Sequence, residues 1–370
     1  MAKVTSDKSF FHGKAESIGV LLVNLGTPDE PTTASVRKYL AEFLADPRVV
    51  EIPRIAWLPI LYGVILPKRP AKSAANYKKI WMDQGSPLLH YSQRQAELLQ
   101  QEIKSRIKGP VHIELAMRYG QPALKTALNA LKEKGAHRIL VLPLYPQYSA
   151  TTTATSFDAI NKILKTWRWI PEMRYIMQYH DSPSYIDALA NSVEEHWKAN
   201  GQNDVLLMSF HGLPKRNLDL GDPYFCQCHK TGRLLAEKLG LEDGQWRLTF
   251  QSRFGKAEWL KPYTESTLKS LPSKDVKSVD IMCPGFPADC LETLEEINME
   301  NRTYFLEAGG EEYRYIPALN DAPSQISALA DLVQQHTQGW KEADPLWSAS
   351  HQEKNNKLSV ERAKQKGAKL

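Results

Sequence analysis

Apolar residues are arranged along this chain in two alternating ways. Ile18 to Asn24 (IGVLLVN) is a continuous apolar run with β-branched residues that stops at Gly26, the pattern of a strand buried on both faces. Runs of the same kind recur at Val111 to Met117, Ile139 to Leu144, Val205 to Phe210 and Val279 to Met282. Between them, apolar residues fall at helical spacing, as from Gln93 to Ile107 and from Pro122 to Lys134. Strand and helix alternating over the whole length predict an α/β protein: two doubly wound, Rossmann-like parallel-sheet lobes with an active-site cleft between them, where ligands sit beyond the C-terminal strand ends. The boundary is expected at Trp167 to Glu172 (WRWIPE), giving lobes 17–168 and 169–336 and a remainder 337–370. No tandem repeat is discerned.

Ile55 to Pro67 (IAWLPILYGVILP) departs from the pattern, being apolar on all sides and interrupted by Pro59. It is too short to cross a bilayer. Two readings stay open, a buried core helix and an exposed apolar lip that meets a flat greasy substrate or a membrane surface.

A length of 370 residues suits two domains, and 42% hydrophobic with 24% charged residues is ordinary for a globular chain. The net charge of +5 lies mostly at the end, where Lys354, Lys357, Arg362, Lys364, Lys366 and Lys369 oppose Glu353 and Glu361. The body is close to neutral, so a nucleic-acid partner is not expected. The segment 337–370 reads as a polar, basic, flexible tail, with weak attraction to an anionic membrane as the other reading. Met1 to Lys14 lack a secretory pattern, and the four cysteines suit free thiols in a reducing compartment, so a cytoplasmic location is expected.

Chemistry concentrates at the strand ends. His211 follows the run Val205 to Phe210 on a turn shaped by Gly212 and Pro214, where an imidazole takes a proton near neutral pH or ligates a metal. After Val279 to Met282 a helix is expected from Asp289, with Leu291, Leu294 and Ile297 as its apolar stripe and Glu292, Glu296 and Glu300 every fourth residue. Asp289 and Glu292 also read as a capping-box-like pair, and the glutamates as a solvated face or a loose oxygen-ligand path for a divalent cation. Tyr145 to Ser156 is rich in hydroxyls before a helix, one explained by N-capping and the rest suited to an anionic group. There is no G-x-S-x-G, no phosphate loop and no G-x-G-x-x-G after the first strand. Cys226, Cys228 and His229 lack the spacing of a zinc site.

Taken in order, VNLGTP (Val23 to Pro28), MRYGQP (Met117 to Pro122), YPQYS (Tyr145 to Ser149), SFHGLP (Ser209 to Pro214), GDPY (Gly221 to Tyr224), QSRFG with Trp259, and ADCLETL resemble the ferrochelatase family over about Ile18 to Val333. The resemblance implies insertion of ferrous iron into protoporphyrin IX with release of two protons, a lyase-type chelatase of haem biosynthesis with no cofactor beyond substrate Fe2+. It implies His211 and Glu292 as catalytic residues, and these with Glu296 and Glu300 as the metal path. Leu25, Arg118, Tyr119, Trp259 and Phe286 would form the pocket wall, while Arg69, Tyr77 and Ser86 would meet propionates at the mouth. The chain departs from animal members at Cys290, where they have histidine, and in having no cysteine beyond Val333, so no iron–sulfur cluster is expected. Coproporphyrin III as substrate, a haem or porphyrin carrier, and a cobalt or nickel chelatase are the rival readings. Peripheral contact with the inner membrane face through 55–67 is a further expectation.

Overall fold

The computed structural model describes residues 12–368, so the first eleven residues of the expected leader-free start and Lys369 of the tail lie outside the described residues. β1 (Ser17–Gly26), β2 (Val111–Tyr119), β3 (Ala136–Pro143) and β4 (Glu172–Tyr175) form a parallel sheet in the order β2-β1-β3-β4. β5 (Val205–His211), β6 (Trp246–Gln251), β7 (Ser278–Met282) and β8 (Glu312–Tyr315) form a second in the order β6-β5-β7-β8. The arrangement is the same in both, and it is the α/β fold expected. The central strands are covered on both faces, with all of β1 buried except half-buried Leu25.

The chain crosses between the lobes twice. Glu172–Tyr175 lies beyond the boundary expected at 168/169, yet it pairs with β3 in the first sheet. The helix Pro183–Asn200 that follows docks on the second lobe, where Trp197 donates to Asp280 on β7 at 2.7 Å. The helix Pro323–His336 after β8 returns to the first lobe, where Arg106 pairs with Asp331 and Ser327. The boundaries 17–168 and 169–336 are therefore corrected: the first unit extends through β4 and takes back the last helix of the second.

The exchange is reciprocal, and the sequence carries it as a repeat, against the expectation of none. Glu172 to Val193 (EMRYIMQYHDSPSYIDALANSV) and Glu312 to Val333 (EYRYIPALNDAPSQISALADLV) share twelve of twenty-two positions. Arg174 of the first copy donates to the carbonyls of His336 and Gln338 at the end of the second copy's helix. Arg314 of the second donates to the carbonyl of Gly201 at the end of the first copy's helix. Helices Pro87–Arg106, Pro183–Asn200 and Pro323–His336 lie between the sheets, and one apolar cluster joins Val20, Leu99, Leu189, Met208 and Leu329. The two lobes thus share a common core.

The segment 337–370 is not a flexible tail over its described part. Trp340 is buried and donates to Glu172, Glu342 is wholly buried against Arg138 at 2.9 Å, and Gly109 donates to the Glu342 carbonyl. A helix Ala349–Gln365 follows and is tied back by Gln352 to the Glu16 carbonyl. Polarity misled here because the charges of 341 and 342 are satisfied inside an ion-pair network.

Between β1 and β2 a cap of helices holds the apolar segment. Helix Arg54–Ile60, a π-helical turn Leu61–Ile65 and helix Leu66–Ile80 run on continuously. Trp57, Leu61 and Leu66 face inward, while Ile55 is 90% exposed and Ile60, Tyr62 and Val64 are exposed with it. The segment is therefore core on one side and exposed and apolar on the other. Among the described residues no helix is long and apolar enough to cross a membrane.

Candidate functional site

His211 is the last residue of β5, opposite Gln251 on β6. Glycine must follow it, because a Cβ on Gly212 would lie 2.7 Å from the Gln251 carbonyl and 3.1 Å from the Trp259 ring. Trp259 thus roofs the turn beside the imidazole, its own indole N–H buried without a partner among the described residues. The His211 ring has Nδ1 2.6 Å from the Gly212 carbonyl, which leaves Nε2 for a substrate, and Phe286 lies 6.4 Å away centre to centre.

After β7 the chain does not enter an ordinary helix. Glu292–Asn301 is a π-helix, a form concentrated at functional sites, and it continues as the helix Arg302–Glu307. The helix begins at Glu292 rather than Asp289, and the expected Asp289 with Glu292 capping pair does not form. Asp289 is instead buried in a polar knot, accepting from Thr293, Tyr315 and Asn320. The apolar stripe divides: Leu291 and Leu294 meet the cap of the first lobe, and Ile297 enters the second lobe's core.

The three glutamates lead outward. Glu292 is half-buried, and its charge reaches Arg69, Tyr39 and Tyr77 of the first lobe's cap, helping to push both phenols above their ordinary range after burial itself. Glu296 accepts from the Ser252 N–H at 2.7 Å and from its hydroxyl. Burial drives its carboxyl up to about 7 against those hydrogen bonds, and Glu292 and Glu300 add to the rise. Glu300 is exposed and accepts from Tyr304 at 2.7 Å. Among the described residues no three His, Cys, Asp or Glu side chains gather as a metal site. The glutamates form a file of single carboxylates rather than one coordination sphere. Cys290, in animal members' histidine position, is buried, and its thiol is pushed well up by burial and then by Glu292.

On the first lobe, several residues expected in the pocket wall or at its mouth sit deeper than expected. Tyr119 is fully buried, and with Arg118 and Thr155 it donates to the carboxylate of Asp46, a residue the sequence did not single out. Burial opposes ionisation of Asp46, but the hydrogen bonds from Thr155, the Arg48 amide and Tyr119 hold it below its ordinary range, and Arg118 adds its charge. Tyr77 and Ser86, expected at the mouth, are buried, Ser86 bonded to Thr27 at 2.8 Å. Arg69 is half-buried and stacks over exposed Phe254 at 4.7 Å, across the mouth. Leu25 is half-buried at the end of β1, against the cap. The anionic group met by the hydroxyl-rich stretch is Asp222 of the GDPY segment, which accepts from Ser149 Oγ at 3.0 Å and the Ala150 amide at 2.8 Å. Those two motifs therefore tie the two lobes to each other. Cys226, Cys228, Cys283 and Cys290 are free thiols.

A family model described as Ferrochelatase matches residues 17–337. The ferrochelatase of Thioalkalivibrio sulfidiphilus is 55% identical over 363 residues, 98% of each chain. That of Nitrosococcus oceani is 56% identical over 333 residues, 90% of each. That of Pseudoalteromonas atlantica is 49% identical over 366 residues, 99% of each, so similarity extends through the C-terminal helix. Among solved structures, SirB from Bacillus subtilis with Fe3+ superposes with a TM-score of 0.52 at 15% identity, over 89% of this chain and 100% of that one, which shows a common fold.

Proposed function

Since the chain belongs to the ferrochelatase family, whose members are metal chelatases that insert iron into a porphyrin to make haem, we propose that its substrate is protoporphyrin IX and that His211 and Glu292 do the chemistry. Insertion must remove two pyrrole protons and replace the metal's waters with four ring nitrogens. His211 offers Nε2 at the second sheet's C-terminal edge, with Nδ1 held by the Gly212 carbonyl, and serves as the proton acceptor or transient iron ligand on one face. Glu292, Glu296 and Glu300 pass metal or protons along the π-helix from the interior to exposed Glu300. Oxygen ligands taken singly suit transfer, since each releases ferrous iron readily. Trp259, Phe286 and Leu25 line the macrocycle, with Arg69 at the mouth for a propionate. Arg118 and Tyr119 act from behind through Asp46.

The observation that carries this reading is that one residue, Gln251, touches both groups: its carbonyl accepts from Gly212 next to His211 at 2.8 Å, and its side chain donates to the Glu292 carbonyl at 3.0 Å. No nucleotide, iron–sulfur cluster or nucleic acid enters the proposal. The enzyme is read as cytoplasmic, resting on the inner membrane face through Ile55, Ile60, Tyr62 and Val64, which stand clear of the cap.

Anaerobic mixing of the protein with ferrous iron and protoporphyrin, coproporphyrin in parallel, tests the reading through loss of free-base fluorescence and growth of metalloporphyrin absorption. Faster turnover on coproporphyrin overturns the substrate, and binding without insertion overturns the catalytic roles in favour of a carrier. Ile60 and Val64 changed together to Ser should weaken binding to anionic liposomes, and unchanged binding removes the membrane contact.

A further inference from the structure

The two lobes close the turn after their second strand in the same way, with Met117 donating to the Pro122 carbonyl at 2.7 Å and Phe250 to the Pro262 carbonyl at 2.8 Å. In the second lobe the connection between these points is longer, and its first two residues reach across to the π-helix. Gln251 is 3% exposed. Its Oε1 accepts from Ser209 at 2.7 Å while its Nε2 donates to the Glu292 carbonyl. Ser252 follows at φ 63°, a left-handed conformation that residues other than glycine adopt sparingly. There its N–H and its hydroxyl donate to different oxygens of Glu296. Glycine would take this backbone without cost, so a serine here points to a use for the hydroxyl.

We propose that Gln251 and Ser252 are positioning residues, a brace that fixes the Glu292 to Glu296 stretch of the π-helix relative to His211. The brace has one arm for the backbone and one for a carboxylate. Gln251 sets the height of Glu292 through its carbonyl, and Ser252 turns the Glu296 carboxylate by holding both oxygens. Neither residue has to touch the porphyrin or the iron. The inference rests on reading Glu296 as part of the acidic path.

The test is Ser252→Gly beside Glu296→Gln, in the full chain, with thermal unfolding, porphyrin binding and steady-state iron insertion measured on each. Ser252→Gly keeps the N–H bond and relaxes the backbone, so it should unfold at or above the wild-type temperature and bind porphyrin as tightly. Its kcat should fall about tenfold, the worth of one hydrogen bond to a charged group. Ser252→Gly with wild-type kcat beside an impaired Glu296→Gln overturns the brace and leaves the acidic path standing. Wild-type rates in both overturn the acidic path and the brace with it. A loss of thermal stability that accompanies the loss of activity also overturns the proposal, because a merely structural serine would behave that way.

Discussion

The two lobes place different residues on the same frame. β1 ends Leu25, Gly26, Thr27, Pro28 and β5 ends His211, Gly212, Leu213, Pro214, so the glycines correspond and Leu25 stands where His211 stands. Each glycine admits a carbonyl of the neighbouring strand, Tyr119 for Gly26 and Gln251 for Gly212. After the third strand each lobe also winds a π-helical segment, Ala150–Ala154 in the first and Glu292–Asn301 in the second. The first carries alanines and threonines, the second the acidic file. The frame is shared; side chains at matched positions leave one strand end apolar and give the other the imidazole and carboxylates proposed to react.

Exchanging the matched pair should give the largest effect. His211→Leu makes the second wall resemble the first, and kcat for iron insertion should fall by about 10²- to 10⁴-fold, the usual worth of a positioned acid–base group, with porphyrin still bound. Leu25→His should not restore activity to that variant, because no acidic π-helix faces β1 from its own lobe. Steady-state rates on both variants and their combination check this, and restored turnover would break the comparison.

The glycines sharpen it next. A Cβ on Gly26, where φ is 113°, would lie 1.8 Å from the Tyr119 carbonyl oxygen, whereas one on Gly212 would lie 2.7 Å from that of Gln251 with no positive φ. Gly26→Ala should therefore cost about 4 kcal/mol, strain and overlap together, against about 2 kcal/mol for Gly212→Ala. Urea unfolding of the two variants measures both costs. Near-equal losses would mean that the two turns yield alike.

The acidic π-helix should carry a pH dependence that the first lobe's hydroxyl segment lacks. Glu296 keeps its proton up to about 7 in the folded protein. The unfolded chain gives up that proton near its ordinary value of about 4.3. Between these values the folded state binds more protons, so stability falls as pH rises and the loss is complete above the folded value. The difference amounts to on the order of 3 to 4 kcal/mol. Glu296→Gln removes this contribution, so its stability relative to wild type should rise by that amount between pH 4 and pH 8. A constant difference across that range would count against the burial of the carboxyl.

Much of the frame was legible in the sequence. The five continuous apolar runs are strands within a few residues, because parallel strands covered on both faces need such runs. The strands that were not foreseen, Glu172–Tyr175, Trp246–Gln251 and Glu312–Tyr315, are all sheet edges, short and rich enough in polar residues to read as loop. The helix exchange escaped because helical periodicity says which face is apolar and not which lobe it meets. His211 and the glutamates stood out by placement and spacing. Asp46 did not, and Gln251 and Ser252 entered only within the QSRFG motif with no role of their own, since a buried polar residue's use is recognisable only once its partners are known. The π-helix was invisible because glutamates four apart fit an ordinary helix as well.

The exchanged arginines give the smallest difference between the lobes, and it isolates what the C-terminal segment adds. Arg174 donates to two carbonyls, His336 and Gln338, and stacks over Trp340 at 4.4 Å, a ring that belongs to the segment following the repeat. Arg314 reaches one carbonyl, Gly201 at 2.9 Å, and otherwise pairs with exposed Glu312. A second carbonyl partner, where Arg314 has the exposed Glu312, and a cation–π contact make the first site stronger, so Arg174→Ala should cost about 2 kcal/mol and Arg314→Ala about 1 kcal/mol in denaturant unfolding. Trp340→Leu should bring the two arginine costs close together by removing the ring while keeping the buried volume largely filled. If the order were reversed, the segment after His336 would be a passenger on the first lobe rather than part of what holds its edge strand.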